Sequence, residues 1–320
     1  MNTRVFFSLE DAHGQFGPCA LSIGNFDGVH IGHQALLEAS RLHACTRRLT
    51  PAVLTFHPHP AVFVAPQRVP QTICTLEERL DRLALAGAEH ILVLPFNQAL
   101  ARFSPQEFVS QILVNALGAK AIFVGENFRF GFRQSGTSKT LEELSAQYDF
   151  TTHFIEPVRY RGRTVSSSLI RRYLSEGKVA LAGRMLGRCF SLAGPVIGGE
   201  GIGSKKTVPT LNRRPREGEL VPRGVYVTET LDSATGRRWH SITNAGVRPT
   251  FGGSELTVET FLLDPFDGRS PEEIEVSFRH FIRTERTFPD AEALKAQILK
   301  DAARAKTYWR RASKAAGLPY

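Results

Sequence analysis

The sequence has no long hydrophobic run, and this absence argues against a membrane protein. No apolar stretch approaches the ~20 residues that a membrane-spanning helix needs. The N-terminus, MNTRVFFSLEDAHG, carries acids and only a brief apolar patch. It therefore lacks the basic start, the long apolar middle and the small-residue cleavage site of a secretory signal. We expect a cytoplasmic protein with no membrane partner.

Cysteine is scarce as well. The chain has four cysteines, which are widely scattered and form no CxxC pair: Cys19, Cys45, Cys74 and Cys189. This spacing excludes a disulfide framework. We therefore expect reduced thiols, in agreement with a cytoplasmic location.

The composition allows two domains and leaves the partner open. At 320 residues the chain is long for one core. Its 42% hydrophobic and 22% charged residues are ordinary for a globular protein. The net charge of +9 suits nucleic acid, anionic lipid or phosphorylated metabolites, and charge alone does not choose among them. Because the basic residues form no long uninterrupted run, we expect most of them to lie on a solvated surface.

The central motif is GNFDGVHIGHQ at residues 24–34, between an apolar run at 20–23 and a helix-like segment at 35–43. Its glycines allow tight turns and close approach of the backbone. A helix that begins near Gly32 would direct free N–H groups and its positive end at an anion, and His30 and His33 could donate to the same phosphate. When one phosphate attacks another, positioning and charge neutralisation can supply most of the catalysis. The motif predicts a nucleotide site.

The two histidines could instead be surface residues or metal ligands, but both alternatives are weaker. A single histidine near a turn is more often a solvated or capping residue, whereas an H-x-x-H pair argues against that role. The same spacing suits a metal pair, although no third His or Cys ligand follows at a convincing distance along the sequence. Phosphate binding therefore ranks above zinc binding.

The first half of the chain alternates between strand-like and helix-like segments. Strands are predicted at 20–23, 52–56, 91–95, 121–124 and, more weakly, 152–155, and helices at 32–43, 75–86, 104–117 and 140–148. This alternation favours a mostly parallel, Rossmann-like sheet that binds ligands at the carboxyl ends of its strands.

Three later stretches fall at that edge of the predicted sheet: TFHPHP at 55–60, GENFRFG at 125–131 and VSSSLIR at 165–171. The prolines of the first hold its histidines on a stiff loop. The second supplies the amide of Asn127 and the rings of Phe128 and Phe130, which suit stacking on a planar ring and also suit a core. The third begins a helix with serines and places Arg171 one turn inside, a spacing suited to a polyphosphate.

The pattern changes after residue 174, and we place the boundary between two domains, 1–186 and 187–320, near residue 186. Short strands predicted at 190–196, 224–230, 239–245, 257–263 and 273–281 favour a small antiparallel barrel. A terminal helix is expected with Asp290 as its N-cap and with Leu294, Ile298 and Ala302 on one face.

The second domain offers three groups of candidate residues. The glycine-rich segment at 198–207 has Ser204 where a P-loop has lysine, so we interpret it as a lid whose backbone and lysines contact phosphate. In the PTLN segment that follows, Thr210 and Asn212 would face the same way in an extended chain and could ligate Mg²⁺. Glu259 lies on a partly apolar strand face, where an acid is either paired structurally or a base, and spacing does not decide between them.

These motifs resemble those of two enzyme families, in the families' order. GNFDGVHIGHQ, TFHPHP, GENFRFG and VSSSLIR resemble the GxFDGxHxGH, TFxPHP, GxxFxFG and SSTxIR motifs of prokaryotic FAD synthetases, which belong to the nucleotidylyltransferase superfamily. PTLN, NAGVRPTF, VE and RTERTF resemble the PTxN, NxGxRPTF, xE and RxExxF pattern of bacterial riboflavin kinases. The chain as a whole resembles the bifunctional riboflavin kinase/FMN adenylyltransferases.

The resemblance implies a fold and two reactions. The fold is α/β plus all-β: an N-terminal Rossmann-like nucleotidylyltransferase domain with a parallel sheet, then a small antiparallel riboflavin-kinase β-barrel with a terminal helix. The C-terminal domain would phosphorylate riboflavin to FMN with ATP, and the N-terminal domain would adenylylate FMN to FAD and release pyrophosphate. Each step needs Mg²⁺. The implied partners are riboflavin, FMN and ATP.

The resemblance also implies roles for individual residues. His30 and His33 would stabilise the α-phosphate of ATP, and Glu259 would take the proton from the ribityl hydroxyl of riboflavin. The other implied site positions are Gly24, Phe26, Asp27, His59, Asn127, Ser167, Ser168, Arg171, Gly203 and Lys205 for ATP, Asn127 and Phe130 for flavin, and Thr210 and Asn212 for Mg²⁺.

Departures from the family pattern keep two alternatives open. Where relatives read GRxxGxPTAN, residues 203–212 lack an arginine and a glycine, at Ser204 and Thr207. One alternative is therefore a monofunctional FMN adenylyltransferase with an inactive kinase-like domain. The other is an RNA-binding protein, because the charge is positive and class I aminoacyl-tRNA synthetases share the HxGH motif; it ranks lower, since the KMSKS-like match at 204–206 is poor. Asn127, where many relatives carry Asp, keeps an acceptor and does not count against activity.

Overall fold

The computed structural model describes residues 3–197, 210–250, 253–266 and 269–316. Gly203 and Lys205, which the sequence assigns to the ATP site, lie outside the described residues. Contacts within the chain divide it into two compact units, Met1–Ser167 and Ser168–Tyr320. The boundary predicted near residue 186 stays a prediction.

The first unit is an α/β layer structure. Its strands are β1 (Arg4–Phe6), β2 (Cys19–Ile23), β3 (Thr50–His57), β4 (His90–Pro95), β5 (Ala119–Gly125) and β6 (Thr151–Ile155), followed by a hairpin of β7 (Arg159–Tyr160) and β8 (Arg163–Thr164). Its helices include α1 (Leu9–Ala12), α2 (Ile31–Arg47), α3 (Ala61–Val64), α4 (Leu76–Leu85), α5 (Pro105–Glu107), which continues as a π-helical segment at Phe108–Ala116, and α6 (Ser138–Tyr148).

The main sheet of this unit is parallel throughout, in the order β1-β4-β3-β2-β5-β6. Every residue of β2 is buried. Neighbouring residues of one strand enter different apolar layers: Leu21 and Leu54 lie in one cluster, and Ala20 and Val53 lie in the other. This alternation explains why the strands read as continuous apolar runs in the sequence, since helices cover both faces of the sheet.

The strand order reverses next to β2, and this reversal positions the site. The chain leaves β2 for β3 and β4 on one side and then continues with β5 on the other side of β2. The segments that follow β2 and β5 therefore flank a crevice at the carboxyl edge of the sheet, which is where open parallel sheets bind ligands. The predicted α/β domain with a parallel sheet is confirmed.

The second unit is a barrel with helices. Its elements are α7 (Ser167–Ser175), whose first residue belongs to the first unit, α8 (Val179–Leu186), β9 (Phe190–Pro195), β10 (Thr210–Arg213), β11 (Gly224–Asp232), β12 (Arg238–Thr250), β13 (Gly253–Leu262), β14 (Glu273–Arg283) and α9 (Ala291–Ala316). The strands pair antiparallel in the order β10-β13-β12-β11-β14-β9. A bridge between Ile197 and Asn212 joins the two ends of this sheet and closes the barrel. The predicted antiparallel barrel with a terminal helix is confirmed.

The terminal helix α9 covers one face of the barrel strands. Asp290 caps the helix by accepting a 2.7 Å hydrogen bond from the backbone N–H of Ala293. Further along, Ala305 and Trp309 pack with Val227 and Ile242. Residues that alternate with Val227 and Ile242 point to the opposite side of the sheet, so α9 meets only the face that Val227 shares.

Candidate active sites

The loop between β2 and α2 has an unusual backbone that is fixed from outside. Phe26, Gly28 and Val29 all have positive φ angles, 49°, 79° and 40°. A non-glycine residue in this region costs of order 1–3 kcal/mol. The carboxylate of Asp27, which is 2% exposed, accepts backbone N–H groups from Ile73 (3.1 Å) and Cys74 (3.3 Å). These bonds tie the loop to the chain that leads into α4 and stabilise its strained conformation.

The two histidines of the motif meet at the N-terminus of α2. His30 is the N-cap residue, and its Nδ1 accepts a 3.2 Å hydrogen bond from the backbone N–H of His33. The two imidazole rings stack with their centroids 3.6 Å apart. A Cβ atom at Gly32 would approach the His30 ring to 3.2 Å, so glycine leaves room for the stack. Because Nδ1 of His30 accepts, its Nε2 carries the proton in the neutral ring and can donate.

His33 is held neutral in the absence of a ligand. Desolvation, followed by the neighbouring His30 and Arg79, lowers the pKa of His33 well below its ordinary value. Its Nδ1 is buried and has no hydrogen-bond partner among the described residues. The ring of Phe26 contacts it edge-on at 5.1 Å. An anion bound next to this imidazole would favour its charged form and would couple anion binding to proton uptake.

The end of β3 and the turn that follows it contact the β2–α2 loop. The Asn25 side-chain amide and Nε2 of His59 lie 3.4 Å apart, and Nδ1 of His59 accepts a 3.1 Å hydrogen bond from the backbone N–H of Ala61. The hydroxyl of Thr55 donates to the carbonyl oxygen of Asn25 at 3.2 Å. His59, predicted from TFHPHP, is therefore brought next to the β2–α2 loop.

The serine segment also reaches this loop. The Ser167 hydroxyl donates a 2.9 Å hydrogen bond to the carbonyl oxygen of Asp27. Ser167 thus contacts the loop that carries the histidine motif. Ser168 and Arg171 follow in the same helix but count with the second unit, and their contact with the triphosphate stays a prediction.

The aromatic residues after β5 divide into core and accessible rings. Phe130 is 6% exposed and packs against Phe108 at 5.9 Å between centroids. Phe128 is only half-buried and stacks on Phe130 at 5.4 Å, while Asn127 is exposed. The contact of Phe130 and Asn127 with flavin stays a prediction, and Phe128 presents the more accessible ring.

A second set of polar side chains forms a row across the barrel. In the strand register, Asn212 of β10 lies opposite Glu259 of β13, which lies opposite Asn244 of β12. Residues directly opposite each other share a face of the sheet. Because β10 is extended, Thr210 points to that face as well. The structure therefore brings together the three residues predicted for the base and the metal.

Glu259 and Asn244 of this row line a cavity of about 710 Å³ that lies against α9. Three carboxylates and two guanidinium groups lie in its wall: Glu259, Glu285, Asp301, Arg283 and Arg286. The apolar part of the wall comprises Val225, Ile242, Val247, Phe261, Phe288, Leu294 and Ile298. A cavity of this size that combines apolar side chains with polar groups suits a small organic ligand.

Comparison with known proteins matches a different family to each portion of the chain. The family model for FAD synthetase matches residues 13–169, and that for riboflavin kinase matches residues 186–309. The Escherichia coli (strain K12) bifunctional riboflavin kinase/FMN adenylyltransferase is 33% identical over 291 residues, which cover 91% of this chain and 93% of that protein. The proteins of the same name from Pseudomonas fluorescens and Haemophilus influenzae are 34% and 32% identical, over 90% and 96% of this chain and 92% and 99% of theirs.

The chain belongs to the family of bifunctional riboflavin kinase/FMN adenylyltransferases. A solved chain from Streptococcus pneumoniae, described as a macrolide-efflux protein, has a TM-score of 0.84 to this structure at 26% identity, over 96% of this chain and 99% of that chain. Within the described ranges, no helix is long and apolar enough to cross a bilayer.

The riboflavin kinase portion of this family member carries oxygen ligands that fit Mg²⁺. The Oδ1 atom of Asn212 is buried and has no hydrogen-bond partner among the described residues. Thr210 and Asn212 supply a hydroxyl and an amide oxygen, and Glu259 supplies a carboxylate beside them. Mg²⁺ prefers oxygen ligands and usually takes only one or two from the protein, with substrate phosphates completing the set. The unsatisfied Asn212 oxygen is therefore a suitable ligand atom.

Sequence reasoning missed several residues of these bifunctional riboflavin kinase/FMN adenylyltransferase sites. Asn25 lies inside the histidine motif at a position that the motif leaves unspecified. Asp301 lies on α9 and accepts a 2.9 Å hydrogen bond from Nε of Arg283 and another, also 2.9 Å, from Gln297. Arg283 was visible in the RxExxF pattern, but no sequence signal linked it to an acid in the terminal helix.

Proposed function

We propose that this chain makes FMN from riboflavin and then FAD from FMN, with ATP as the co-substrate of both reactions. The observation that carries the proposal is the presence of two built sites in one chain. A histidine pair stands at a helix N-terminus in the FAD synthetase portion, and an acid borders a 710 Å³ cavity in the riboflavin kinase portion. Mg²⁺ is proposed as the metal of each reaction.

In the adenylylation reaction, an oxygen of the FMN phosphate forms a bond to the α-phosphorus of ATP. The bond from that phosphorus to the β-phosphate oxygen breaks, and pyrophosphate leaves. His30 and His33 hold the α-phosphate at the N-terminus of α2, where imidazole and backbone N–H groups stabilise the negative charge that develops on its oxygens. No protein side chain acts as a nucleophile, so positioning and electrostatics carry the step.

In the kinase reaction, Glu259 takes the proton from the ribityl hydroxyl of riboflavin. The hydroxyl oxygen forms a bond to the γ-phosphorus of ATP, and the bond to the bridging oxygen breaks as ADP leaves. The apolar wall of the cavity, with Phe261, Leu294 and Ile298, would pack on the flavin ring. When bound through Thr210 and Asn212, Mg²⁺ would neutralise charge on the phosphates.

Chromatography of flavin products tests the proposal. Purified protein is incubated with ATP and Mg²⁺ and with either riboflavin or FMN, beside controls without ATP. We expect FMN and FAD from riboflavin, and FAD from FMN. Formation of FAD from FMN alone would contradict the kinase half, and formation of FMN without FAD would contradict the adenylyltransferase half.

A further inference from the structure

Arg79 of α4 is a buried cation that forms no ion pair with a carboxylate of the described residues. The residue is 5% exposed. Its Nη1 donates a 3.2 Å hydrogen bond to the carbonyl oxygen of Phe56, and its buried Nε has no hydrogen-bond partner among the described residues. The charges of Asp27 and Glu78 act on the Cys74 thiol together with that of Arg79, but Arg79 itself forms no ion pair within the described part of the chain. Burying an unpaired charge costs folding free energy, so stability does not account for this arrangement.

The position of Arg79 connects it to the adenylylation site. Phe56 is the penultimate residue of β3, and His57 and the His59 turn follow it at the ligand edge of the sheet. The positive charge of Arg79 lowers the pKa of three neighbouring groups: His33, His57 and Cys74. Desolvation is the largest cause of the lowered pKa of His33 and of His57, and the charge of Arg79 lowers both further.

We infer that Arg79 is a positioning residue for adenylyl transfer, whose unpaired positive charge is compensated when the phosphates of ATP bind. The inference rests on the proposed function of the first unit. In the ligand-free protein, Arg79 repels protons from the histidines and holds the end of β3 through Phe56. In the complex, the phosphates bring negative charge to a site where His33 and Arg79 both favour it. The folding free energy lost by burying the guanidinium is then recovered as binding free energy.

The substitution R79Q separates this role from a structural one. Glutamine removes the charge but keeps an N–H donor for the Phe56 carbonyl oxygen. We expect the melting temperature of R79Q to equal or exceed that of the unsubstituted protein, because an unpaired buried charge is gone. We expect FAD formation from FMN to fall by about 10- to 100-fold, as other lost positioning contacts do. The acid limb of its pH profile should move to higher pH, because His33 no longer faces the Arg79 charge and now faces only His30.

Two controls accompany the variant. FMN formation from riboflavin by the same protein should be unchanged, since the kinase residues lie in the other unit. The substitution R82Q makes the same chemical change one turn later in α4 and should leave both the pH profile and the rate of FAD formation unchanged. R79K keeps the charge and should keep the acid limb at its original pH.

Several results would overturn the inference. An R79Q protein that is unfolded, or that melts well below the unsubstituted protein, would show that the charge stabilises the fold. Unchanged FAD formation would show that the charge does not serve the site. If the unsubstituted chain itself forms no FAD, the proposed function fails, and the rise in melting temperature caused by ATP decides the inference alone. A rise of equal size in both proteins would then reject it, and a smaller rise in R79Q would support it.

Discussion

Asn212 of β10 and Glu259 of β13 stand directly opposite each other in the barrel register. The pair is close because β10 and β13 are neighbours in the sheet, although many residues separate the two strands in the sequence. The side chains of Asn212 and Glu259 therefore lie next to each other on the same face of the sheet. The amide oxygen of Asn212 has no hydrogen-bond partner among the described residues. In the proposed kinase reaction, this arrangement would let Asn212 bind a cation while Glu259 accepts a proton.

The substitution E259Q should separate the two activities. Glutamine keeps the shape of the side chain but does not accept a proton, so FMN formation should fall by about 10²- to 10⁴-fold. FAD formation from FMN should be unchanged in E259Q. Both activities should be unchanged in the control variant E273Q, which alters an exposed acid on β14. Initial rates measured by chromatography decide the prediction, and an equal loss of both activities in E259Q would contradict it.

The substitution N212A should weaken the response of the kinase to Mg²⁺. Loss of a second-shell partner of a metal ligand typically costs about 10- to 100-fold in metal affinity, so loss of a ligand itself should raise the Mg²⁺ concentration for half-maximal FMN formation by at least about tenfold. N212D keeps an oxygen at the same place and should restore most of the response. A Mg²⁺ titration of initial rates measures this, and an unchanged midpoint in N212A would show that Asn212 is not a ligand.

The fold could be predicted wherever a local pattern decided it. β2 and β3 read as apolar runs because helices cover both faces of their sheet, and Asp290 caps α9 as its position before the helix indicated. β1 escaped prediction because it is three residues long, only Phe6 of it is buried, and its pairing with β4 is a long-range contact.

In the candidate sites too, local patterns could be predicted and long-range contacts could not. His30, His33 and Glu259 carry chemistry that residue type and motif reveal. The roles inferred for Arg79 and Asp301 depend on their burial and on partners that are distant in the sequence. Hydrophobic periodicity does not predict such contacts. Sequence spacing also left Glu259 balanced between a paired acid and a base, and only the strand register placed Asn212 beside it.

The substitution G246A should impair flavin binding to the kinase. Gly246 lines the cavity, and a Cβ atom added there would overlap the carboxylate of Glu285. The carboxylate must turn away, so we expect the KM for riboflavin to rise by about tenfold or more, with FAD formation from FMN unchanged. The double variant G246A/E285A removes the overlap and should fold as stably as E285A alone. A normal KM in G246A would mean that Glu285 moves without affecting the flavin.

The substitution H33A should abolish most FAD formation. It removes a phosphate donor at the N-terminus of α2, and loss of one such donor commonly costs about 10²- to 10³-fold in rate. FMN formation from riboflavin should be unchanged. The matched control is H43A, which removes a histidine from the same helix without touching the motif and should leave FAD formation intact. Equal losses in H33A and H43A would indicate damage to α2 rather than to the site.

The first unit should lose stability as the pH falls below about 6.5, the ordinary pKa of histidine. Four of its histidines have lowered pKa values, with desolvation as the largest cause in each: His33, His43, His57 and His153. The unfolded chain therefore binds more protons than the folded unit in this range, and each such histidine lowers the free energy of unfolding by at most about 1.4 kcal/mol per pH unit. Above pH 7 all four are neutral in both states, so the loss is absent there.

Calorimetric scans between pH 7.5 and pH 5 measure this dependence, and a matched variant assigns part of it. The rings of His43 and His153 lie 4.6 Å apart, so protonating both places two positive charges together. H153Q removes one titrating group and the repulsion, and its melting temperature should fall less steeply with decreasing pH. The carboxylates with lowered pKa values, such as Glu38 and Glu107, lose their contribution only at more acidic pH, because their unperturbed pKa already lies below this window. A melting temperature that is constant or rises on acidification to pH 5 would contradict the assignment of neutral, desolvated histidines.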